Sequence, residues 1–431
     1  MNKVMSVKFY PRKLFLFLLG LTLFLVPLIF GSSTHELFEF PKMFFVYLTG
    51  TALIYLYLLH LLMNPGKDIF KRPAYPLTAF VIIYVAATLL SSHLYTSFWG
   101  YYSRFNGGLL SVLIFYGIYI SVINIIKKEN IKDFVNVVVL SVLPVSIYGI
   151  FQRFELFEDF WKVNSSVRVF STLGQPNWLA AYLAMTLPVV FYRVLNEKKL
   201  KFFMSLVFIL GFACLWFTYS LSGLLGFTAA MGVLIFLNRM LIRENVRVIV
   251  VISLLSLIIA ITNPGIFSGK VNDVLKDVGR TLSSVTAVRA QETQPAFEAI
   301  SDTGFIRAGL WKGTLWLSLK DPRTLLLGTG PETFPYEFPP YRENSLNYSS
   351  EWDFIFNKPH NYYLELLSQT GILSLAIYLL IIKRAWKSRH PYLTPSLTGL
   401  FVTNIFGWPV VATALLFWIF LSFMEVENEK N

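Results

Sequence analysis

Apolar runs recur along the whole chain. A helix crossing a bilayer needs about 20 mostly apolar residues, and lipid-facing backbone must satisfy its own hydrogen bonds there. Runs of that kind lie at 14–31, 43–63, 76–92, 109–125, 134–152, 178–195, 202–220, 222–237, 247–263 and 361–382. A last run, 396–424, is long for one helix and short for two, and Gly407-Trp408-Pro409 in its middle reads as a tight turn. The pattern predicts eleven or twelve membrane helices, with twelve favoured. Lys8, Arg12 and Lys13 precede the first run, but its apolar core is too long for a signal peptide and no small-residue cleavage site follows, so it reads as a retained helix.

The polar segments between the runs alternate in character. Lys3, Lys8, Arg12 and Lys13 stand before the first run; Lys67, Lys71 and Arg72 follow the second; Lys127, Lys128 and Lys132 follow the fourth. Arg193 with Lys198, Lys199 and Lys201, then Arg239, Arg243 and Arg247, then Lys383, Arg384, Lys387 and Arg389 mark every second loop thereafter. The positive-inside bias places these segments in the cytoplasm. The loops 32–42, 93–108, 153–177, a short link near 221, and 264–360 then face out. The last carries 10 Lys/Arg against 11 Asp/Glu, so it is nearly neutral, and it is the only non-membrane region large enough to fold on its own. Loops this long are uncommon unless they carry function.

Composition narrows the class. Of 431 residues, 55% are hydrophobic and 14% charged, the mean hydropathy is +0.57, and aromatics reach 17%. Soluble domains carry roughly 25% charged residues. A soluble enzyme and a disordered chain are both excluded. One Cys and five His exclude a disulfide framework and a Cys-rich metal site. Cys214, in an apolar run, reads as a small buried hydrophobe. The formal charge of +12 is mainly the topology signal, since no basic stripe or aromatic motif for nucleic acid accompanies it. The fold class is an all-α polytopic membrane protein. Residues 1–263 hold helices one to nine, 264–360 form the large outer loop, and 361–431 hold the last helices and a short tail. No internal repeat is evident, and no paired Gly/Pro-broken helices recur in the two halves, which weakens an inverted-repeat transporter.

The outer loops hold the unusual residues. Ser97-Phe98-Trp99-Gly100-Tyr101-Tyr102-Ser103-Arg104-Phe105-Asn106-Gly107-Gly108 precedes the fourth helix. Its aromatics read as an interfacial anchor, while Arg104, a lone cation on the outer side, suits an anion or a lipid phosphate. Arg168 and Gly174-Gln175-Pro176-Asn177 lead into the sixth helix. Asn177 is a natural N-cap, and a helix N-terminus suits a phosphate or a sugar hydroxyl. Arg168, Gln175 and Asn177 together point to a ligand; each alone is a capped turn. In the large loop, Gly304 to Leu317 shows helical apolar spacing with Arg307 near its start, and predicts an amphipathic helix suited to lying on the membrane. Gly328-Thr329-Gly330-Pro331 is a tight turn and not a P-loop, because no Gly-Lys-Ser/Thr follows. Lys358-Pro359-His360-Asn361 stands where the loop re-enters the membrane. His360 is the best placed of the five histidines for general-base work, since free imidazole titrates near 6.5. Glu351-Trp352-Asp353 reads as solvated charge, and no zinc spacing or Gly-x-Ser-x-Gly nucleophile elbow is present.

These segments, in this order, resemble the bacterial O-antigen ligase superfamily, which includes O-antigen ligases, related glycan polymerases and protein O-oligosaccharyltransferases. The resemblance rests on Trp99-Gly100…Arg104…Gly107-Gly108-Leu109, on Gly174-Gln175-Pro176-Asn177-Trp178-Leu179, on Arg307…Trp311…Asp321-Pro322…Leu327-Gly328-Thr329-Gly330-Pro331…Phe334, and on His360-Asn361-Tyr362-Tyr363-Leu364. It implies a GT-C-like membrane glycosyltransferase. Such an enzyme moves a glycan from undecaprenyl diphosphate to an acceptor hydroxyl, lipid A-core in the ligases, outside the inner membrane. It needs no cofactor and no metal, and the resemblance implies inversion at the transferred carbon. The family's arginine before the Trp-containing helix corresponds to Arg307, and its histidine to His360. An arginine that many ligases carry at the outer end of the seventh helix is absent, because Tyr219-Ser220-Leu221-Ser222-Gly223 has Leu221 there. Arg104 and Arg168 are candidates to replace it.

With Arg307 and His360 matched by the resemblance, the chemistry of transfer from a diphosphate predicts Arg307 on the diphosphate with Arg104 and Arg168 assisting, His360 on the acceptor proton, and Gln175, Asn177 and Asn361 orienting sugar or His360. Polymerase and protein-glycosylating activities remain open beside ligation. A lipid-linked glycan transporter is the competing class. It would want intramembrane charges along a path, where the sequence offers mainly Glu365. A non-catalytic sensor or scaffold would tolerate loss of His360 and Arg307.

Overall fold

A computed structural model describes residues 11–64, 71–156, 161, 164–265 and 303–428. Lys3, Lys8, Lys67 and residues 266–302 of the large loop lie outside the described residues. The regular elements are α1 (Pro11–Leu25), α2 (Glu39–Met63), α3 (Tyr75–Leu89), α4 (Leu94–Trp99), α5 (Leu109–Ile125), α6 (Lys128–Arg153), α7 (Pro176–Asn196), α8 (Lys201–Phe217), α9 (Leu221–Leu237), α10 (Arg239–Glu244), α11 (Val246–Thr262), α12 (Thr303–Ser318), α13 (Pro322–Leu327), α14 (Phe334–Glu337), α15 (Tyr362–Ser388), α16 (Leu393–Thr403) and α17 (Val411–Asn428). No strand occurs among the described residues. Five helices, α2, α6, α7, α15 and α17, are long and apolar enough to cross a membrane, and α3, α5, α8, α9, α11 and α16 are shorter apolar helices. The chain is a multi-pass, all-helical membrane protein.

The last apolar run is two helices. Gly407-Trp408-Pro409 falls in the break between α16 and α17. Pro409 lacks an amide donor and disfavours helical backbone at Trp408. The start of α17 is then held from α2, where the Oε2 of buried Glu39 accepts from the Val411 amide at 2.8 Å.

The core is built around α7, whose residues from Leu179 to Phe191 are all buried. It packs against α8, α9 and α16. The approach is close because the facing positions are small: a Cβ on Gly399 would fall 2.4 Å from the Ala184 carbonyl oxygen, and one on Gly223 2.3 Å from the Ala180 Cβ. Small residues at such seams let backbones meet where hydrophobicity alone gives no drive between helices in lipid.

The loops sort to the two ends of the bundle. At one end Lys132 and Arg193 meet Glu197 at 2.9 and 3.0 Å, Lys201 donates to Asn245, and Asn238 donates to the Pro391 carbonyl. The basic loops therefore share that end. The opposite end carries the candidate site.

There α12 is the helix that the spacing of 304–317 predicts, with Ile306, Leu310 and Leu317 buried against Phe334, Phe338, Leu346 and Phe356 of the same loop while Leu315 and Trp316 stay exposed. This small second core exists because the loop supplies its own aromatics, and it rests on α15. The turn Gly328-Thr329-Gly330 joins it to the membrane part. Gly371 breaks α15 with φ +79°, and Gly328 faces it with φ +74°. The break frees carbonyls that a continuous helix would pair. The amides of Thr329 and Gly330 take them, bonding the Ser368 and Gln369 oxygens at 3.0 and 2.9 Å. A side chain at either glycine would meet backbone at 2.1 Å.

Candidate functional site

Arg168 is set by backbone before side chain. The Val169 amide bonds the Phe217 carbonyl at 3.2 Å, which lays the loop against the end of α8. Arg168 Nε then donates to the Thr218 carbonyl at 3.0 Å and its Nη2 to Asn177 Oδ1 at 3.2 Å. Ser220, the N-cap of α9, also donates to Asn177 Oδ1, at 2.8 Å. Asn177 is thus a hub and not the cap expected for α7. Gln175 holds the cap position and Pro176, whose φ is already helical, takes the first turn. Gln175 does not cap with its side chain, and its Oε1 is buried without a partner. Leu221 opens α9, and the Arg168 guanidinium is bonded to the carbonyl three residues before it. Arg168, rather than Arg104, therefore stands beside the position where the resemblance expects a cation.

Arg104 is carried by a different turn. Its amide bonds the Tyr101 carbonyl at 2.9 Å, and Tyr47 donates to the next carbonyl, that of Phe105, at 2.7 Å. Its guanidinium lies over two indoles, 5.2 Å from Trp178 and 6.0 Å from Trp408. Cation–π contact holds an arginine while leaving its donors free, and Arg104 Nε is buried without a partner.

His360 sits at φ +55°, a left-handed conformation that histidine adopts more readily than most residues. Asn361 follows as the N-cap of α15, and its Oδ1 accepts from the Tyr363 and Leu364 amides at 3.0 and 3.2 Å. That oxygen is committed to the helix, so Asn361 fixes where α15 starts and has only its amide nitrogen left for a ligand. The His360 ring meets Trp408 edge-on at 5.1 Å, and no hydrogen bond to it is formed among the described residues. Burial, then the charge of Arg307, then that of Arg104 lower its imidazole to about 4. Burial likewise lowers the Arg307 guanidinium, with Glu351 opposing. Burial and Arg307 together lower Arg168 to about 10. Burial lowers all three groups, and the charge of Arg307 adds to it at both His360 and Arg168.

A cleft of about 340 Å³ opens here, lined by Arg104, Gln175, Trp178, Glu351, His360 and Trp408 among others. That volume is within the range of small-molecule sites. Asn177 lines a smaller recess beside it with Gln175 and His360. Arg168 and Arg307 do not line the cleft; the charge of Arg307 acts on His360 and on Arg168. Among the described residues no three His, Cys, Asp or Glu are grouped to hold a metal ion.

Sequence reasoning passed over Trp178 and Trp408 as ring partners of Arg104. It also passed over Lys358, whose ammonium bonds Glu332 and Glu365 in a buried cluster. The only signal for the latter was a lysine before a membrane helix with a carboxylate in that helix's first turn.

Residues 206–379 match the O-antigen ligase family model. The match runs from α8 into α15 and includes Arg307, His360 and Asn361, while Arg104, Arg168, Gln175 and Asn177 precede it. No curated protein matches the chain. The family match supports the O-antigen ligase superfamily and implies a ligase- or polymerase-like membrane glycosyltransferase.

Proposed function

We propose that this O-antigen ligase-domain protein moves a glycan from undecaprenyl diphosphate to an acceptor hydroxyl, as a ligase acting on lipid A-core. The observation that carries the reading is the cleft that His360 and Arg104 line together, with the charges of Arg307 and Arg104 acting on the imidazole. Arg307 takes the diphosphate with Arg168 and Arg104 assisting; of the three only Arg104 lines the cleft, so the carrier extends beyond it to reach the other two. Guanidinium forks match phosphate oxygens two at a time, and a partly dehydrated setting strengthens the attraction. The acceptor oxygen attacks the anomeric carbon as His360 takes its proton. The carbon–phosphate-oxygen bond breaks, and the electron pair leaves on the lipid diphosphate. The configuration inverts, and the imidazolium returns its proton to solvent. A bound diphosphate offsets the arginines that hold His360 low, so substrate itself raises the basicity of the imidazole.

Gln175, with an unpartnered oxygen beside His360, and Asn177 orient the sugar. Asn361 acts through the start of α15. The chain needs neither metal nor cofactor for these steps. The basic end of the bundle faces the cytoplasm with the N-terminus, by the positive-inside bias. The cleft then lies on the outer side of the inner membrane, with 264–360 as an extracytoplasmic loop between the transmembrane segments 1–263 and 361–431.

The test uses protein purified in detergent with an undecaprenyl-diphosphate-linked oligosaccharide. Release of undecaprenyl diphosphate is followed with lipid A-core, with a peptide and with no added acceptor, beside His360→Asn. Asparagine tolerates the left-handed backbone but cannot serve as the base. The expected result is transfer to lipid A-core that His360→Asn abolishes. Transfer to peptide, or ladder growth without acceptor, would replace ligation by protein glycosylation or polymerisation. Absence of His360-dependent release with every acceptor would favour a lipid-linked glycan transporter.

A further inference from the structure

The cluster around Lys358 joins the separate pieces of the site. Lys358 lies two residues before His360, is buried, and its Nζ bonds Glu332 Oε1 and, at 2.5 Å, Glu365 Oε1. Glu365 is in the first turn of α15, directly after the Asn361 cap. Glu332 belongs to the loop after Gly328-Thr329-Gly330-Pro331, and its amide donates to Gln369 of α15 at 2.7 Å. Glu332 has φ +60° and His360 φ +55°, so the ammonium bridges between two segments that each carry a strained residue. Such backbone persists only where its surroundings over-determine it.

The cluster also reaches Arg104. A Cβ on Gly107 would fall 2.0 Å from Glu332 Oε1, and Tyr84 donates to the Gly107 carbonyl, so Glu332 is wedged against the turn that carries Arg104. The second oxygen of Glu365, which has no partner, and Arg104 Nε, which has none either, belong to residues lining one cavity of about 90 Å³. The charges of Arg104 and Glu365 act on one another across it. The cavity is smaller than a small-molecule site but has room for a few waters. Two cations, Lys358 and Arg104, thus stand against three carboxylates lining that cavity, Glu39, Glu332 and Glu365.

We propose that Lys358, with Glu332 and Glu365, is a positioning element that fixes His360 and Arg104 relative to one another for glycan transfer. The assignment rests on the transferase reading. None of the three touches the substrate. They hold the loop turn, the helix start and the Arg104 turn in one arrangement, and misplacement by about 1 Å can cost on the order of 100-fold in rate.

The experiment uses the full-length protein in detergent and compares wild type with Glu365→Gln and with the Lys358→Met/Glu365→Gln pair. The glutamine keeps the side-chain shape, and the pair avoids stranding a second carboxylate without its lysine. Three quantities are read: melting temperature, kcat against KM for undecaprenyl-diphosphate oligosaccharide, and amide hydrogen exchange over residues 356–362. The expected result for Glu365→Gln is a melting temperature near that of wild type, kcat lower by about tenfold or more with KM nearly unchanged, and faster exchange confined to the His360 turn. Unchanged kcat, or a loss that follows melting temperature alone with no local exchange, overturns the proposal. An inactive wild type defeats the transferase reading instead. The exchange arm then still decides whether the cluster holds the turn.

Discussion

The acidity of His360 allows a direct check of the site's electrostatics. Burial, Arg307 and Arg104 bring its imidazole from 6.5 to about 4. At 1.36 kcal/mol per pH unit, that drop is roughly 3 kcal/mol against the imidazolium. At pH 5.5 an ordinary imidazole is about 10% neutral, whereas one titrating near 4 is about 97% neutral. The acid limb of kcat/KM reports the free protein, so it should lie near 4 and activity at pH 5.5 should be close to that at pH 7. Rates of undecaprenyl diphosphate release from pH 3.5 to 8 test this. Stability carries the same signature. The unfolded chain takes its proton near 6.5 and the folded one only near 4, so wild type should lose stability as pH falls between those values, relative to His360→Asn, by up to about 3 kcal/mol. An acid limb centred near 6.5, with no difference in acid stability between the two proteins, would refute the claim that burial and arginine charge govern this ring.

Two further outcomes follow from the geometry. Arg307→Lys keeps the charge and loses the planar fork, so release should fall by about tenfold or more in the same assay; near-normal turnover would remove bidentate phosphate binding as the role of Arg307. Gly371→Ala places a Cβ 2.1 Å from the Leu326 carbonyl oxygen at φ +79°, and should lower stability by about 1–3 kcal/mol or more in thermal unfolding in detergent. An alanine variant as stable as wild type would mean that the turn 328–330 does not dock on the break as described.

The membrane part of the fold was legible because lipid leaves the backbone few choices. Long apolar runs become helices there, and Pro409 is enough to divide the last run. His360 stood out by its place where the large loop re-enters the membrane, and Arg307 only through the resemblance. The order of motifs gave the resemblance that the family match over 206–379 supports. What local pattern could not supply was partnership. The periodicity of α12 identifies its apolar face but not that Phe334, Phe338 and Phe356 cover it. Asn177 looks like a cap by residue type, yet Pro176 starts the helix one residue earlier and frees Asn177 to join Arg168 to Ser220. Lys358 and Glu332 are 26 residues apart and meet only in three dimensions. Likewise nothing in Trp178 or Trp408 announces that the two indoles enclose one arginine.

The docking of the Gly328-Thr329-Gly330 turn onto the break in α15 bears on how the protein can be taken apart. The Ser368 and Gln369 carbonyls freed at Gly371 are matched by amides from the loop, not by their own helix. Excising 303–360, or grafting it onto another bundle, would strand those acceptors within a membrane helix, where each unsatisfied group costs several kcal/mol. Conversely, the excised segment would expose the amides and the face that α15 covers. Chimeras that aim to exchange acceptor preference should therefore carry α15 together with the loop, with the C-terminal joint in the polar turn near 390.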